Sequence, residues 1–562
     1  MGLLKKDAAK KPLKSLGRVT TGGHTSNLRP QRVEKLPPCI DACASGTKIR
    51  EWIVTIAQRE KLGLTEDAAF TKAWNILVDA NPFPSVMGRV CPHPCEAKCN
   101  RHGKDGAVAI NALERFIGDW ALERQLPLPR VETDPKPESI GVIGAGPAGL
   151  SFGYQMARLG YPVTVYEKYK RPGGMLTYGI PPYRLPGGVL QKEIERILDL
   201  GIELKLGCVI GRDIKVEELK QKHTVLFLGI GAHKGKLMRV PGEKGPGVWA
   251  GTEYLNRVSQ GETIDLGRSV AVVGGGDTAI DAARVARRSG ADVTIFYRRT
   301  RTEMPAIDSE VEDAFKEGIK IEFLVAPVAI KRDGEKMTAM VLQRMGLGEP
   351  DESGRRRPVP IQGSEYDVPI DSVIAAVSQA PDWGPLEEIN PEGKWIEADD
   401  GGKFADSVWT GGDVLNLGIA STAIYHGRRA AEMAHAELRG SPRPTHVAQP
   451  PISHERIKLD WYPPKGRGER SHRPVEEWLP KPLEEIYHGI TREQFLEETA
   501  RCFSCGQCFG CERCWMYCTP NAVAKVDIKE TKPGHFYMFK LELCDGCKKC
   551  AEECPCGVLN MI

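Results

Sequence analysis

The sequence predicts an α/β protein with two Rossmann-like nucleotide-binding domains, one inserted into the other. An N-terminal helical domain with metal-ligating cysteines and a C-terminal α+β domain of the bacterial ferredoxin type complete the chain. Three observations predict this. Two glycine fingerprints, each entered by an apolar β-rich run and left by a helical pattern, stand at Gly144-x-Gly146-x-x-Gly149 and Gly274-x-Gly276-x-x-Ala279. The cysteine series C-x2-C-x2-C-x3-C occurs twice after residue 500. Five further cysteines, Cys39, Cys43, Cys91, Cys95 and Cys99, flank a helix-rich stretch before residue 136.

At 562 residues the chain is long enough for about three or four domains. A formal net charge of +3 gives no basic balance that would call for nucleic acid. No run has the length of a membrane span, and no apolar segment after the start has the form of a secretory signal. The 17 cysteines cluster at ligand spacings, which implies a reducing compartment, the cytoplasm. Residues 1–36, basic and dotted with Pro and Gly, read as an arm over the chain's own or a partner's surface.

Residues 37–136 form the first domain. Pro38-Cys39-x3-Cys43 precedes Ile49, Ile53 and Ile56 at spacings that suit a helix, and Cys91-x3-Cys95-x3-Cys99 follows. Thiolates suit iron–sulfur clusters or zinc, but x3 gaps are not the paired CxxC knuckles of a zinc ribbon. Five cysteines are enough for one four-iron cluster and too few for two that are fully cysteine-ligated. The helical pattern VAINALERFIGDWA adds Glu114, a carboxylate able to act as a hard fourth ligand, whereas His93 and His102 read as solvated or structural.

The first fingerprint follows strand Ile140–Ile143. Gly144 allows the tight turn, Gly146 lets backbone approach a pyrophosphate, and Gly149 lets the helix opened by Pro147 and Ala148 pack on the strand. A second strand, Val163–Tyr166, delivers Glu167, where a carboxylate can accept bonds from a ribose, and then Lys168. Next comes Gly173-Gly174-Met175-Leu176-x-x-Gly179-Ile180-Pro-x-x-Arg184-Leu-Pro186, a loop whose backbone can lie against a flat ring system. The second fingerprint follows strand Val270–Val273, with Asp277 and Thr278 in its turn; Asp277 either caps the helix or faces the nicotinamide side. Its second strand, Val293–Tyr297, ends not in an acid but in Arg298-Arg299-Thr-Arg301. Guanidinium groups match the 2′-phosphate of NADP, whereas NAD prefers a carboxylate there. Alternatively the arginines pair with surface acids such as Glu303 or Glu310. Two fingerprints imply two dinucleotides, FAD and NAD(P)H. No CxxC lies between them, which excludes a thioredoxin-reductase-like dithiol relay, and the lone Cys208 is expected to be buried.

Residues 441–490, rich in Pro, charge and aromatics, read as a surface connector with Trp461, Tyr462 and Trp478 as anchors, or as a segment docked on a second subunit of a homodimer. In 491–562 the two cysteine series are Cys508, Cys511, Cys514, Cys518 and Cys544, Cys547, Cys550, Cys554. In two-cluster ferredoxins each fourth cysteine ligates the other cluster. One [4Fe–4S] cluster would therefore use Cys508, Cys511, Cys514 and Cys554, and the other Cys544, Cys547, Cys550 and Cys518. Cys502, Cys505 and Cys556 are extra, with packing near the clusters or setting register as their expected role and redox sensing as the alternative.

PCxxAC, GRVCPHPCEAKC, AINALERF and GGxLxxGIPxxRLP resemble the glutamate synthase small subunit superfamily, which includes dihydropyrimidine dehydrogenase and transhydrogenase relatives. The resemblance covers about residues 37–440. It implies an FAD domain split into 137–240 and 366–440, with an NAD(P) domain, 241–365, inserted between. Residues 371–377 resemble the strand returning to the flavin domain. Gly412-Asp413 resembles the late motif whose Asp bonds the flavin ribityl chain, ahead of a helix near Ile419–Ala430 that directs its N-terminus, at Ala420, to the ring. The resemblance also implies Cys43, Cys91, Cys95 and Glu114 as ligands of one N-terminal [4Fe–4S] cluster. Relatives often carry an earlier CxxC for a second cluster. This chain lacks it, leaving Cys39 and Cys99 as orphaned ligands. With its tail, introduced by RCFSCGQCFGCERCWMYC, the chain resembles the DsrL-type flavoproteins associated with dissimilatory sulfite reductase. The implied function is NAD(P)H:acceptor oxidoreductase, passing electrons to or from a partner redox enzyme of sulfite reductase type, with no nucleophile or general base. A glutamate synthase small subunit and a redox-sensing scaffold without turnover are the alternatives.

Overall fold

The computed structural model describes residues 25–445 and 449–562, so most of the basic arm lies outside the described residues. The first nucleotide-binding domain is a six-stranded sheet in the order Lys403–Ala405, Val408–Thr410, Val225–Leu228, Ile140–Ile143, Val163–Glu167, Glu203–Leu206. Every pair but the first is parallel. All residues of Ile140–Ile143 and Val225–Leu228 are buried, as expected of central parallel strands covered on both faces. Helices Pro147–Arg158 and Ala420–Leu438 pack tightly on one another. Gly427 permits this approach, because a Cβ there would stand 2.2 Å from the carbonyl oxygen of Ala148.

The second sheet has the order Lys320–Phe323, Asp292–Tyr297, Ser269–Val273, Ser372–Ala375, Val248–Ala250, all parallel. Ser372–Ala375 thus belongs here, between the fingerprint strand and Val248–Ala250, and not to the flavin-type sheet to which residues 371–377 were expected to return. Its buried SVIA run has the composition of any central parallel strand, so only pairing decides which sheet takes it. The return comes later, with Lys403–Ala405 and Val408–Thr410. Between the last strands of this domain lies an antiparallel sheet, Val325–Asp333, Lys336–Pro350, Arg356–Pro360 and Tyr366–Pro369.

In the N-terminal domain, helices Ile49–Ala57, Glu66–Val78, Pro84–Val90 and Ile110–Glu123 enclose Trp52, Phe70, Trp74 and Leu113. Its core is continuous with that of the first nucleotide domain. Glu193 accepts hydrogen bonds from the N–H groups of Ser85 and Val86 (2.9 and 3.0 Å), and the Tyr154 hydroxyl donates to Val78 O (2.9 Å). Helix Arg492–Thr499, read from sequence with the C-terminal domain, packs into this same core: Phe495 stacks on Phe116 with centroids 4.1 Å apart.

The connector lies over its own chain. Trp478 is fully buried against Tyr183 and Ile486, and Tyr462 is buried beside Phe503, whereas Trp461 is only half-buried. The C-terminal module has a hairpin, Val523–Lys525 with Tyr537–Phe539, and one-turn helices Arg513–Met516 and Lys549–Glu552 that carry Cys514 and Cys550. Strand Pro30–Arg32 pairs antiparallel with Leu559–Met561 and ties the end of the arm to this module. No helix among the described residues is long and apolar enough to cross a membrane.

Candidate dinucleotide and cluster sites

A cavity of about 270 Å³ opens where the two nucleotide-binding domains face each other. Gly144, Gly146, Pro147 and Ala148 contribute the fingerprint turn, and Glu167 and Lys168 the end of the neighbouring strand. One wall is the loop Gly174, Met175, Leu176, Gly179, Ile180 and Arg184; another is Gly412, Asp413 and Ala420. Asp277 and Thr278 reach in from the second domain. Cys208, expected to be buried, is half-buried and lines the cavity. His233, Gln379 and Asp382 also line it, and no sequence motif marked them.

The glycines divide by what surrounds them. A Cβ on Gly149 would lie 2.0 Å from Gly144 O, and one on Gly173, at φ +113°, 2.2 Å from Thr177 Oγ1. These two serve the protein's own packing. A Cβ on Gly146 would meet nothing nearer than Gly174 Cα at 3.9 Å, which leaves open ground at the helix N-terminus for a pyrophosphate. The residues present therefore fit a dinucleotide.

Glu167 is buried, and its carboxylate accepts hydrogen bonds from the N–H groups of Ala145 (2.8 Å) and Tyr169 (2.9 Å). Burial raises its pKa, opposed by those two donors. Asp413 is pushed up to about 6 by burial, and Gly418 N–H, 3.2 Å from Oδ1, only partly offsets this. Arg184 is committed to the protein: its guanidinium donates to both oxygens of Asp281 (2.8 and 2.7 Å) and lies 3.0 Å from Glu310. It ties the flavin-side loop to helix Asp277–Arg288 of the second domain.

In that second domain Gly274, at φ +147°, has no room for a Cβ (2.3 Å to Ala376 O), Ala279 is buried, and Gly276 faces open space. Asp277 does not cap the helix. Gly276 is the N-cap, and Asp277 Oδ1 accepts from Ile307 N–H (3.0 Å). The three arginines separate. Arg299 is buried and donates to Asp351 (2.6 Å) and Arg356 O (2.7 Å), and Arg301 pairs with Asp308. Arg298 is exposed and makes no ion pair or hydrogen bond among the described residues. Pairing with acids, the alternative reading, holds for two of the three, with Asp351 and Asp308 in place of Glu303 and Glu310.

Cys43, Cys91, Cys95 and Glu114 come together: Cys95 feels the charge of the other three, and Cys91 that of Glu114 and Cys43. Burial pushes Glu114 up to about 7, although Asn81 Nδ2 donates to it at 2.7 Å. Burial and neighbouring charge raise Cys91 and Cys95, and the group fits a ligand set whose negative charge an iron–sulfur cluster would share. Cys91 Sγ lies 3.4 Å from Ser421 Oγ, in the first turn of helix Ala420–Leu438, while Val90 and Pro92 line the large cavity. In the C-terminal module Cys508, Cys511, Cys514 and Cys554 line one pocket. Cys550 neighbours Cys544, Cys547 and Cys518. Cys556 Sγ is 3.7 Å from Cys554 Sγ. Among the described residues no three His, Cys, Asp or Glu side chains form a group able to hold a metal ion, and the pocket-lining thiols surround a space.

Residues 138–449 match the family described as pyridine nucleotide-disulphide oxidoreductase, and residues 33–126 that described as dihydropyrimidine dehydrogenase domain II, 4Fe-4S cluster. The chain is 36% identical over 513 residues to the NADPH-Fe(3+) oxidoreductase subunit beta of Geobacter sulfurreducens, covering 83% of this chain and 75% of the relative. It is 37% identical over 440 residues to the NADP(+)-dependent formate dehydrogenase subunit beta of Moorella thermoacetica, covering 73% of this chain and 61% of the relative. It is 34% identical over 425 residues to the glutamate synthase [NADPH] small chain of Azospirillum brasilense, covering 71% of this chain and 86% of the relative. With its two fingerprints facing one cavity and its cysteines grouped beside it, the chain belongs to the glutamate synthase small-subunit-like family of FAD- and NADPH-dependent iron–sulfur oxidoreductases.

Proposed function

We propose that the chain exchanges electrons between NADPH and the redox centre of a partner enzyme, holding FAD on the Gly144–Gly149 turn, the nicotinamide dinucleotide on the Gly274–Ala279 turn, and [4Fe–4S] clusters on its cysteine groups. The bound flavin and nicotinamide supply hydride exchange and the passage from electron pairs to single electrons. The chain supplies placement. Asp413 lines the cavity with a half-buried carboxylate, and Arg184, through Asp281 and Glu310, ties the two domains together. The observation that carries the reading is Cys91. It stands in the group with Cys43, Cys95 and Glu114, contacts Ser421 of the helix that meets the cavity, and is flanked by two cavity-lining residues.

Relatives named as beta subunits or small chains support a partner protein as electron acceptor or donor. The doubled cysteine series of the tail favours a sulfite reductase-type partner over a glutamate synthase large chain. Seventeen cysteines without a disulfide support a reducing compartment, the cytoplasm. Anaerobic titration with NADPH and with NADH, following flavin and cluster absorbance together, tests the relay. Bleaching of the flavin and then of the clusters is the expected result; no bleaching at full FAD and iron content would overturn it and favour a sensor.

Arg298 is the residue proposed to meet the 2′-phosphate. Arg298→Ala should raise the KM for NADPH about 10–100-fold, the loss of one charge-assisted contact, and leave that for NADH unchanged. Equal shifts for both nucleotides would remove this role. The pH dependence of FAD binding follows from Asp413. Ribityl hydroxyls donate to a carboxylate, so FAD favours the ionised form, and the proton present below about pH 6 must first leave. FAD affinity of the apoprotein should therefore be level above about pH 6 and fall about tenfold per unit below it, a fall that Asp413→Asn abolishes. Fluorescence titration of FAD across pH 5–8 reads this directly.

A further inference from the structure

We infer that Cys39, Cys99, Cys502 and Cys505 hold a further [4Fe–4S] cluster, whose CxxC pair is supplied from the far end of the chain. The four thiols line a single small pocket of about 30 Å³, walled by Pro38, Ile53 and Val108. The pocket lined by Cys508, Cys511, Cys514 and Cys554, the first of the two ferredoxin-type sets, is an internal standard of about 20 Å³. The two pockets are alike in thiol lining and close in size, the ferredoxin-type one having Cys556 as a fifth thiol.

Local structure explains the sorting. Cys39 and Cys43 are four residues apart around the one-turn helix Pro38–Asp41, as are Cys95 and Cys99 around Pro94–Ala97. Each helix gives one cysteine to the group with Cys91 and Glu114 and the other to this pocket.

The backbone of Cys502-Phe503-Ser504-Cys505 repeats the knuckles of the C-terminal module. The residue before the second cysteine is left-handed in all three: Ser504 at φ +53°, Gly510 at +73° and Gly546 at +72°. Its N–H points back at the first sulfur, 3.4 Å for Ser504 to Cys502 and 3.4 Å for Gly546 to Cys544. A non-glycine residue seldom holds that conformation.

The surroundings suit a buried anionic cluster. Asn100 Nδ2 donates to Cys505 Sγ at 3.6 Å, and the buried Arg50 donates to Cys505 O at 2.9 Å and Lys35 O at 2.7 Å. Across the pocket Cys39 feels the charge of Cys99, Cys502 and Cys505, and Cys502 and Cys505 that of Cys99. Thiolates there need a metal to share their charge.

The CxxC is a fixed part of the N-terminal domain. Arg501, 1% exposed, donates to Glu498 (2.6 Å), Asp105 (3.1 Å) and the carbonyls of Gly106 (2.8 Å) and Ala107 (3.1 Å). Glu498 accepts from Ala109 N–H at 2.8 Å. Tyr462, with its ring 4.1 Å from Phe503, has Cys502 and Cys505 as well as Cys511 and Cys556 among its neighbours. The site thus lies between the N-terminal group, with which it shares two helices, and the ferredoxin module, with which it shares Tyr462.

The test is metal counting on the full chain purified without oxygen, by iron, acid-labile sulfide and zinc analysis, with low-temperature EPR after dithionite reduction. Wild type should carry about sixteen iron and sixteen sulfide ions, and the double variant Cys502→Ser/Cys505→Ser about four fewer of each with flavin unchanged. About twelve iron in wild type, an unchanged count in the variant, or zinc lost in place of iron would overturn the inference. If the variant does not fold, wild-type holoprotein is alkylated before and after oxidative cluster removal and the 502–505 peptide read by mass spectrometry. Labelling only after removal is expected; labelling from the outset, or a Cys502–Cys505 disulfide, overturns it.

Discussion

Gly146→Ala should yield a folded protein without flavin, and Gly149→Val a protein that scarcely folds. The two glycines belong to one motif, but a Cβ at 149 would lie 2.0 Å from Gly144 O and 3.0 Å from Val142 Cγ1, whereas one at 146 has free space. Gly149→Val must push helix Pro147–Arg158 off strand Ile140–Ile143, an overpacking that costs about 3 kcal/mol or more and also disturbs the contact of that helix with Ala420–Leu438. Gly146→Ala costs the apoprotein little, but the methyl group occupies ground that a pyrophosphate needs, and FAD affinity should drop more than about tenfold. Flavin-to-protein absorbance ratios and melting curves separate the two. Full flavin in purified Gly146→Ala would sink the assignment of this turn.

Arg284→Met should be the most damaging substitution of a charged residue in the second domain. Arg284 is fully buried and lies against Glu310, Glu317 at 2.7 Å and Asp313 at 3.6 Å. Arg184 and Arg288 remain to partner Glu310 and Glu317, but Asp313, also fully buried, keeps only Lys316 at 3.0 Å and the Tyr487 hydroxyl at 2.9 Å. Removing one member of a buried ionic group costs about 3–5 kcal/mol, because the charges left behind are uncompensated. The sign with pH follows. Stranded carboxylates have raised pKa values, so protonation relieves them, and the deficit against wild type should shrink from pH 8 to pH 5. Arg284→Lys should recover only part of the loss, since one ammonium cannot reproduce the guanidinium fork. Melting curves compared at both pH values check this; a melting temperature equal to wild type at pH 8 would show the network to be dispensable.

What the sequence by itself determined is whatever a short stretch of chain can encode. Gly144, Gly146 and Gly149 between an apolar strand and a helix specify a turn and an open helix N-terminus without help from elsewhere. The C-x2-C-x2-C-x3-C series likewise puts its thiols within reach of one another along a short stretch of chain. Cys43, Cys91, Cys95 and Glu114, implied by resemblance, also meet in the fold. Tertiary structure decided everything that depends on which distant segments meet. Ser372–Ala375 is apolar enough for either sheet, and only its pairing with Ser269–Val273 and Val248–Ala250 placed it. Arg184 sits in a flavin-type loop but answers to Asp281 and Glu310, and of three adjacent-looking arginines Arg298 makes no ion pair or hydrogen bond among the described residues. Cys39 and Cys99 look orphaned along the chain because the cysteines that join them stand at 502 and 505, brought back by helix Arg492–Thr499 and the buried Arg501. Spacing encodes a site when its ligands share one turn; when they lie more than 400 residues apart, burial of Phe495 and satisfaction of buried charge bring them together.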